Sequence, residues 1–113
     1  MTSPEHAVLV TYALSDDRFG EEMERKAIYA LQARLKEAIE AADAGEFDGN
    51  LFGGGAVELY AYGPDANRLF AAMEPQLRAF PARPAHAVLR FGEADDPTAV
   101  EQRIDLSPPK HGT

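Results

Sequence analysis

The feature that most constrains this chain is a change of hydrophobic period that happens twice. Residues 6–12, HAVLVTY, form a nearly continuous β-branched apolar run between Pro4 and the turn-prone Ser15-Asp16-Asp17, the pattern of a buried central strand. From about Gly20 to Asp43 the apolar residues recur instead at three- and four-residue steps: Met23, Ala27, Ile28, Leu31, Leu35, Ala38, Ile39 and Ala42. That spacing is an amphipathic helix. Alternation returns in EFDGNLF (46–52), where Phe47 and Leu51 alternate with Glu46, Asp48 and Asn50. It continues in AVELYAY (56–62), where Val57, Leu59 and Ala61 alternate with Glu58, Tyr60 and Tyr62. A second helical stripe follows: Ala66, Leu69, Phe70, Met73, Leu77 and Phe80. HAVLRF (86–91) and AVEQRIDL (99–106) then read as two more strands.

The punctuation between these segments agrees with them. Glu21, Glu22 and Glu24 suit the first turn of the first helix, where the macrodipole favours anions. Glu21 with Arg25 and Glu22 with Lys26 are spaced for surface pairs, and Gly45 is placed to supply a left-handed residue after the helix. Glycine and asparagine make 46–52 a weak edge strand, and Gly53 to Gly55 supply positive φ for a hairpin into 56–62. Pro64 suits the first position of the second helix and Asp65 its first turn, while Pro75 predicts a kink or an early end near Met73. The order is β-α-β-β-α-β-β. Its first six elements have the split β-α-β topology called ferredoxin-like, a two-layer α+β sandwich. Right-handed crossovers then give an antiparallel sheet in order 4-1-3-2 with both helices on one face, and the added C-terminal strand forms a hairpin with strand 4. We expect one domain over 1–106 and a loose tail over 107–113.

Composition narrows the function classes. With 113 residues and no cysteine, the chain has the size of one domain and carries neither disulfides nor thiolate chemistry. A formal charge of −8 repels phosphate backbones and anionic headgroups, so neither nucleic acid nor a membrane is the expected partner. The opening MTSPEHAVLVTYAL has Glu5 in place of a basic n-region and too short an apolar run for a signal or a span. The expectation is a soluble, cytoplasmic protein.

The chemistry-bearing motifs thin out on inspection. FGGGAVELY enters a strand rather than a helix and lacks the Lys-Ser/Thr of a phosphate loop. YGPDA opens a helix, but Asp65 fills the turn an anion would use. His6 and His86 begin antiparallel neighbouring strands, which puts them about five residues apart at roughly 3.3 Å each, and His111 lies in the tail. Acidic groups at Asp16–Asp17, at Asp43, Glu46 and Asp48, and at Glu93, Asp95 and Asp96 miss the ligand spacing of a calcium loop. No catalytic constellation, metal site or cofactor site is expected.

Glu58, Tyr60 and Tyr62 remain. If Val57, Leu59 and Ala61 pack under the helices, these three lie on the open sheet face near Arg90, and exposed tyrosines on a central strand call for a partner. RNA-recognition domains share the topology, but Gly54-Gly55-Ala56-Val57-Glu58 does not match their basic, aromatic third strand. The runs LSDDRFG, GEFDG, YGPDA and LRFG resemble a set of small acidic bacterial proteins of unassigned function, a resemblance that spans about Leu14 to Gly92. It implies bacterial origin and a common fold and transfers no catalytic residue. The expectation is a non-catalytic module that binds a protein partner or forms a homodimer through Glu58, Tyr60, Tyr62 and Arg90. An immunity- or antitoxin-type inhibitor is one form, suited to a basic target. The alternative is a small-molecule-binding or enzymatic domain with a pocket formed in a dimer, for which Glu58 and His86 are the nearest titratable groups.

Overall fold

The computed structural model describes residues 5–15, 20–80, 85–93 and 95–106. Among these residues seven elements follow in chain order: β1 (His6–Ala13), α1 (Glu22–Ala42), β2 (Glu46–Gly53), β3 (Ala56–Gly63), α2 (Ala66–Ala79), β4 (Ala85–Arg90) and β5 (Glu101–Asp105). They form an α+β structure with one five-stranded sheet in the order β2-β3-β1-β4-β5, every neighbouring pair antiparallel. β1 is the central strand, which is why HAVLVTY is apolar nearly throughout.

The helices share one face of the sheet, and the core lies between the two layers. Val8, Val10 and Tyr12 from β1, Val57, Leu59 and Ala61 from β3, and Ala87 and Leu89 from β4 meet Ile28, Leu31, Leu35 and Ile39 from α1 and Leu69, Met73 and Leu77 from α2. These are the alternate strand positions and the three- and four-residue helix stripes of the sequence, so each element buries the face its pattern marked. Tyr12 puts a hydroxyl into this core, where it donates to the Leu77 carbonyl at 2.9 Å. Its ring packs on Phe80 with centroids 5.0 Å apart.

Several boundaries differ from the sequence expectation. Glu21 is the N-cap of α1 rather than part of its first turn. Buried Glu24 reaches back to accept from the Glu21 N–H at 2.9 Å and from the Ser15 N–H at 3.0 Å. Glu22 does pair with Lys26 at 3.5 Å, but Arg25 turns to the Gly20 carbonyl. The left-handed residue that ends α1 is Asp43, at φ 49° and ψ 44°, and not Gly45. Gly45 is required for a different reason, since a side chain there would run into the Tyr62 carbonyl where β2 meets β3. Asp65 is the N-cap of α2, which moves Pro64 outside the helix. α2 also continues past Pro75 to Ala79, with Pro75 on the exposed side.

The hairpin is as read: Gly53 pairs with Ala56, and Gly54 and Gly55 form the two-residue loop at φ 62° and 81°. Positive φ at both loop residues is what such a tight turn needs. In β2, however, a bulge between Phe47 and Gly49 shifts the register. Phe47 and Phe52 therefore both pack against the core, while Leu51, expected on the side of Phe47, pairs with Glu58 and is 58% exposed. One extra residue in the strand reverses the face of everything after it. The expected tail, 107–113, lies outside the described residues.

Candidate functional site

The sheet face away from the helices is best described in rows, because the antiparallel registers align residues across all five strands. The first row runs Glu46, Tyr62, Ala7, Arg90, Glu101 from β2 to β5. The second runs Gly49, Tyr60, Leu9, Val88, Arg103, and the third Leu51, Glu58, Thr11, His86, Asp105. Tyr62, Tyr60 and Glu58 thus stand in consecutive rows on β3, as expected from the alternation. Arg90 is in the row of Tyr62 with Ala7 between them, two strand spacings or about 10 Å away along the sheet.

The rows also contain what sequence reasoning missed. Leu9 and Val88 join Tyr60 in the middle row, and Leu51 extends the apolar surface to the edge strand. Leu9 and Val88 were hidden because HAVLVTY and HAVLRF are apolar on both faces, so neither run says which of its residues point outward. Arg103, Asp105 and His86 meet only through the β4–β5 register, which no local pattern specifies.

Two local networks fix the polar groups. The Tyr60 hydroxyl donates to Glu58 Oε1 at 3.2 Å. Partial burial raises the Tyr60 phenol above the usual tyrosine range, and the acceptor bond to Glu58 and its charge push the same way. Arg90 Nε donates to the Gly92 carbonyl at 3.2 Å, which holds the guanidinium at the end of its strand. His86 is held below the ordinary histidine range, first by burial and then by the nearby Arg103 charge, with Asp105 and Glu58 acting in the opposite direction. It borders a shallow groove of about 370 Å³ whose wall includes Thr11, Ala56, Arg103 and Asp105. A second shallow depression lies at the other end of the face, between Tyr62, Arg90 and the acidic Glu5, Glu93 and Asp95.

The other candidate chemistry is absorbed by the fold. His6 lies on the helix side of β1, where its Nδ1 accepts from the Ala66 N–H at 3.1 Å and its ring meets Phe91 edge-on at 5.7 Å. His86 pairs with Thr11, five residues along β1 from His6, so the two histidines share no site. Asp65 Oδ1 accepts from the Asn67 N–H at 2.9 Å and the Arg68 N–H at 3.4 Å. With His6 on Ala66, the donors that would hold an anion at the YGPDA corner are taken. Asp96 caps the turn at Thr98, whose N–H and hydroxyl it accepts at 2.9 and 2.7 Å. Among the described residues, no group of three or more histidines and carboxylates is placed to hold a metal ion. Asp16, Asp17 and His111 lie outside the described residues. No helix among the described residues is long and apolar enough to cross a membrane.

In comparisons with known proteins, no family model, no curated protein and no solved structure matches this chain.

Proposed function

We propose that the chain is a cytoplasmic, non-catalytic docking module of ferredoxin-like arrangement that engages a protein through the open face of its sheet. One observation carries this reading. Leu51, Tyr60, Tyr62, Leu9, Ala7 and Val88 occupy adjoining positions across four strands, and the helices cover only the opposite face. An aromatic and aliphatic centre bordered by Glu46, Glu58, Arg90, Arg103 and Asp105 has the composition of an interface, apolar inside and charged at the rim. The charge of −8 adds long-range attraction for a basic partner and disfavours nucleic acid and lipid surfaces, which suits an immunity- or antitoxin-type inhibitor.

The test compares capture of partners from the native cell by the wild type, by a Tyr60→Ala/Tyr62→Ala chain and by a chain altered at exposed Arg34 of α1. The reading predicts loss of capture for the first variant and retention for the second. Retention by the tyrosine variant refutes it.

A second reading, a small-molecule or enzymatic domain, draws on the third row, where Thr11, His86 and Asp105 line the groove and Glu58 stands beside Thr11 on β3. It requires the groove to close in an assembly. An assembly that leaves the His86 row open to bulk water refutes it.

A further inference from the structure

We infer that the protein seated on the open face is basic at its contact surface, with an apolar centre and lysines or arginines on both sides of it, about 13 Å apart. The inference rests on the docking reading and states the chemistry of the partner. It follows from where the charge of −8 sits on the fold, which the total alone does not say.

The helical layer is close to balanced. α1 carries four carboxylates and four cations, and α2 one carboxylate and two cations. The acidic caps Glu21, Asp43 and Asp65 bring that layer to −2. The open face is different. Glu46, Glu58, Glu101 and Asp105 stand on it, and Glu5, Glu93 and Asp95 border the depression beside Tyr62 at its end. Against these carboxylates are Arg90 and Arg103, which leaves −5, because His86 is held toward its neutral form. Arg90 is turned to the Gly92 carbonyl, and Arg103 stands between Glu101 and Asp105 on β5, so neither gives the face a basic side. Most of the negative charge therefore surrounds one surface, the one whose Tyr60, Leu9 and Val88 the helices do not cover.

The rows set the spacing. Glu46 and Glu101 lie in the first row, with the acidic depression at the same end, and Glu58 and Asp105 lie in the third. The middle row, with Tyr60, Leu9 and Val88, carries no carboxylate. The outer rows are four residues apart along β3, or about 13 Å. A complementary surface presents cations to both outer rows and apolar groups to the middle one. The charges steer the encounter from a distance, and the apolar centre holds the complex once it forms. A free polyamine supplies the cations without the centre.

The test uses a defined probe, a basic amphipathic peptide in which leucines are flanked by lysines, and a counterpart with glutamate for lysine. NMR titration of isotope-labelled protein should shift the amides of Glu58, Tyr60, Leu9 and Val88 with the lysine peptide and leave those of α1 unmoved. The glutamate peptide should shift none. Spermine, which lacks an apolar side chain to bury, should bind at least about tenfold more weakly than the lysine peptide. Glu46→Lys/Glu101→Lys and Glu37→Lys/Glu40→Lys change the net charge equally, the first on the open face and the second on the exposed side of α1. The first pair should slow association of the lysine peptide by about tenfold and flatten its salt dependence, and the second should do neither. Circular dichroism checks that both variants keep the fold. Equal slowing by the two pairs, shifts centred on α1, spermine as strong as the peptide, or no binding of the lysine peptide at millimolar concentration overturns the inference. Capture from the native cell keeps the two readings apart. If Glu46→Lys/Glu101→Lys retains a partner that Tyr60→Ala/Tyr62→Ala loses, the basic partner is overturned and the docking reading stands. Retention by the tyrosine variant overturns the docking reading itself.

Discussion

Replacing Tyr12 with phenylalanine removes one oxygen from the core, and the structure sets what that should cost. The hydroxyl is buried on a residue that is 2% exposed, and it donates to the Leu77 carbonyl at 2.9 Å. Leu77 lies in the last turn of α2, where carbonyls have no partner within the helix. Tyr12 therefore serves as a cap delivered from the central strand. Phenylalanine keeps the ring on Phe80 and loses the bond, leaving a buried acceptor unpaired. A net hydrogen bond contributes about 1 kcal/mol and an orphaned buried group costs about 1–3 kcal/mol, so Tyr12→Phe should lose about 2 kcal/mol.

Urea denaturation should show that loss as a lower midpoint at unchanged slope, and Tm should fall by roughly 8 °C at about 4 °C per kcal/mol for a chain of this size. The pH dependence is a second, independent reading. Burial raises the Tyr12 phenol above its ordinary value, while an unfolded tyrosine ionises near about pH 10. Above that pH the unfolded chain releases a proton that the folded chain keeps. The contribution is present below pH ~10 and is lost as pH rises toward the folded value, by at most about 1.4 kcal/mol per unit. The wild type should therefore show a steeper alkaline loss than Tyr12→Phe, and the gap between them should narrow from pH ~9 to pH ~11. A difference under about 0.5 kcal/mol at neutral pH, or identical alkaline limbs, would refute the account of Tyr12 as a buried cap.

Other expectations follow from the caps and the open face. Asp43→Gly relieves a non-glycine residue from the left-handed region and removes a carboxylate from a helix C-terminus, so it should stabilise by about 1 kcal/mol in chemical denaturation. Asp65→Ala frees two N–H groups at the start of α2 and should destabilise by about 1 kcal/mol by the same measurement, with Asp65→Asn closer to wild type. Because His86 is held below its ordinary value, protonation is easier in the unfolded chain, and stability should decline as pH falls through about 6.5. His86→Gln should flatten that decline, and NMR titration of the His86 ring should place its midpoint below that of a model peptide.

The order of elements was legible because two helical stripes interrupt alternating segments, and each stripe buries the residues its spacing selects: Ile28, Leu31, Leu35 and Ile39 in α1, and Leu69, Met73 and Leu77 in α2. The placement of the three candidate residues on the open face of β3 was legible for the same reason, since Glu58, Tyr60 and Tyr62 alternate with the buried Val57, Leu59 and Ala61. What escaped was set by tertiary geometry. Leu51 changes face because of a bulge for which Gly49 was a weak signal. Leu9 and Val88 are masked by strands that are apolar on both sides. The helix ends moved by a residue or two where more than one cap was available, as with Asp43 and Gly45, or Pro64 and Asp65. His86 could be named from sequence but not set beside Arg103 and Asp105, because that neighbourhood depends on pairing between strands separated by a turn.

The bulge in β2 has a consequence for how copies of this chain can assemble. β2 is an outer strand, and an outer strand with regular, unpaired backbone groups invites another chain to add to it, then another, without limit. The irregularity after Phe47 breaks that template and increases the local twist, while the opposite outer strand, β5, carries Glu101, Arg103 and Asp105 along its short length. Sideways growth is discouraged at both margins. Strand-by-strand extension into a ribbon is thereby closed off at both edges of the sheet.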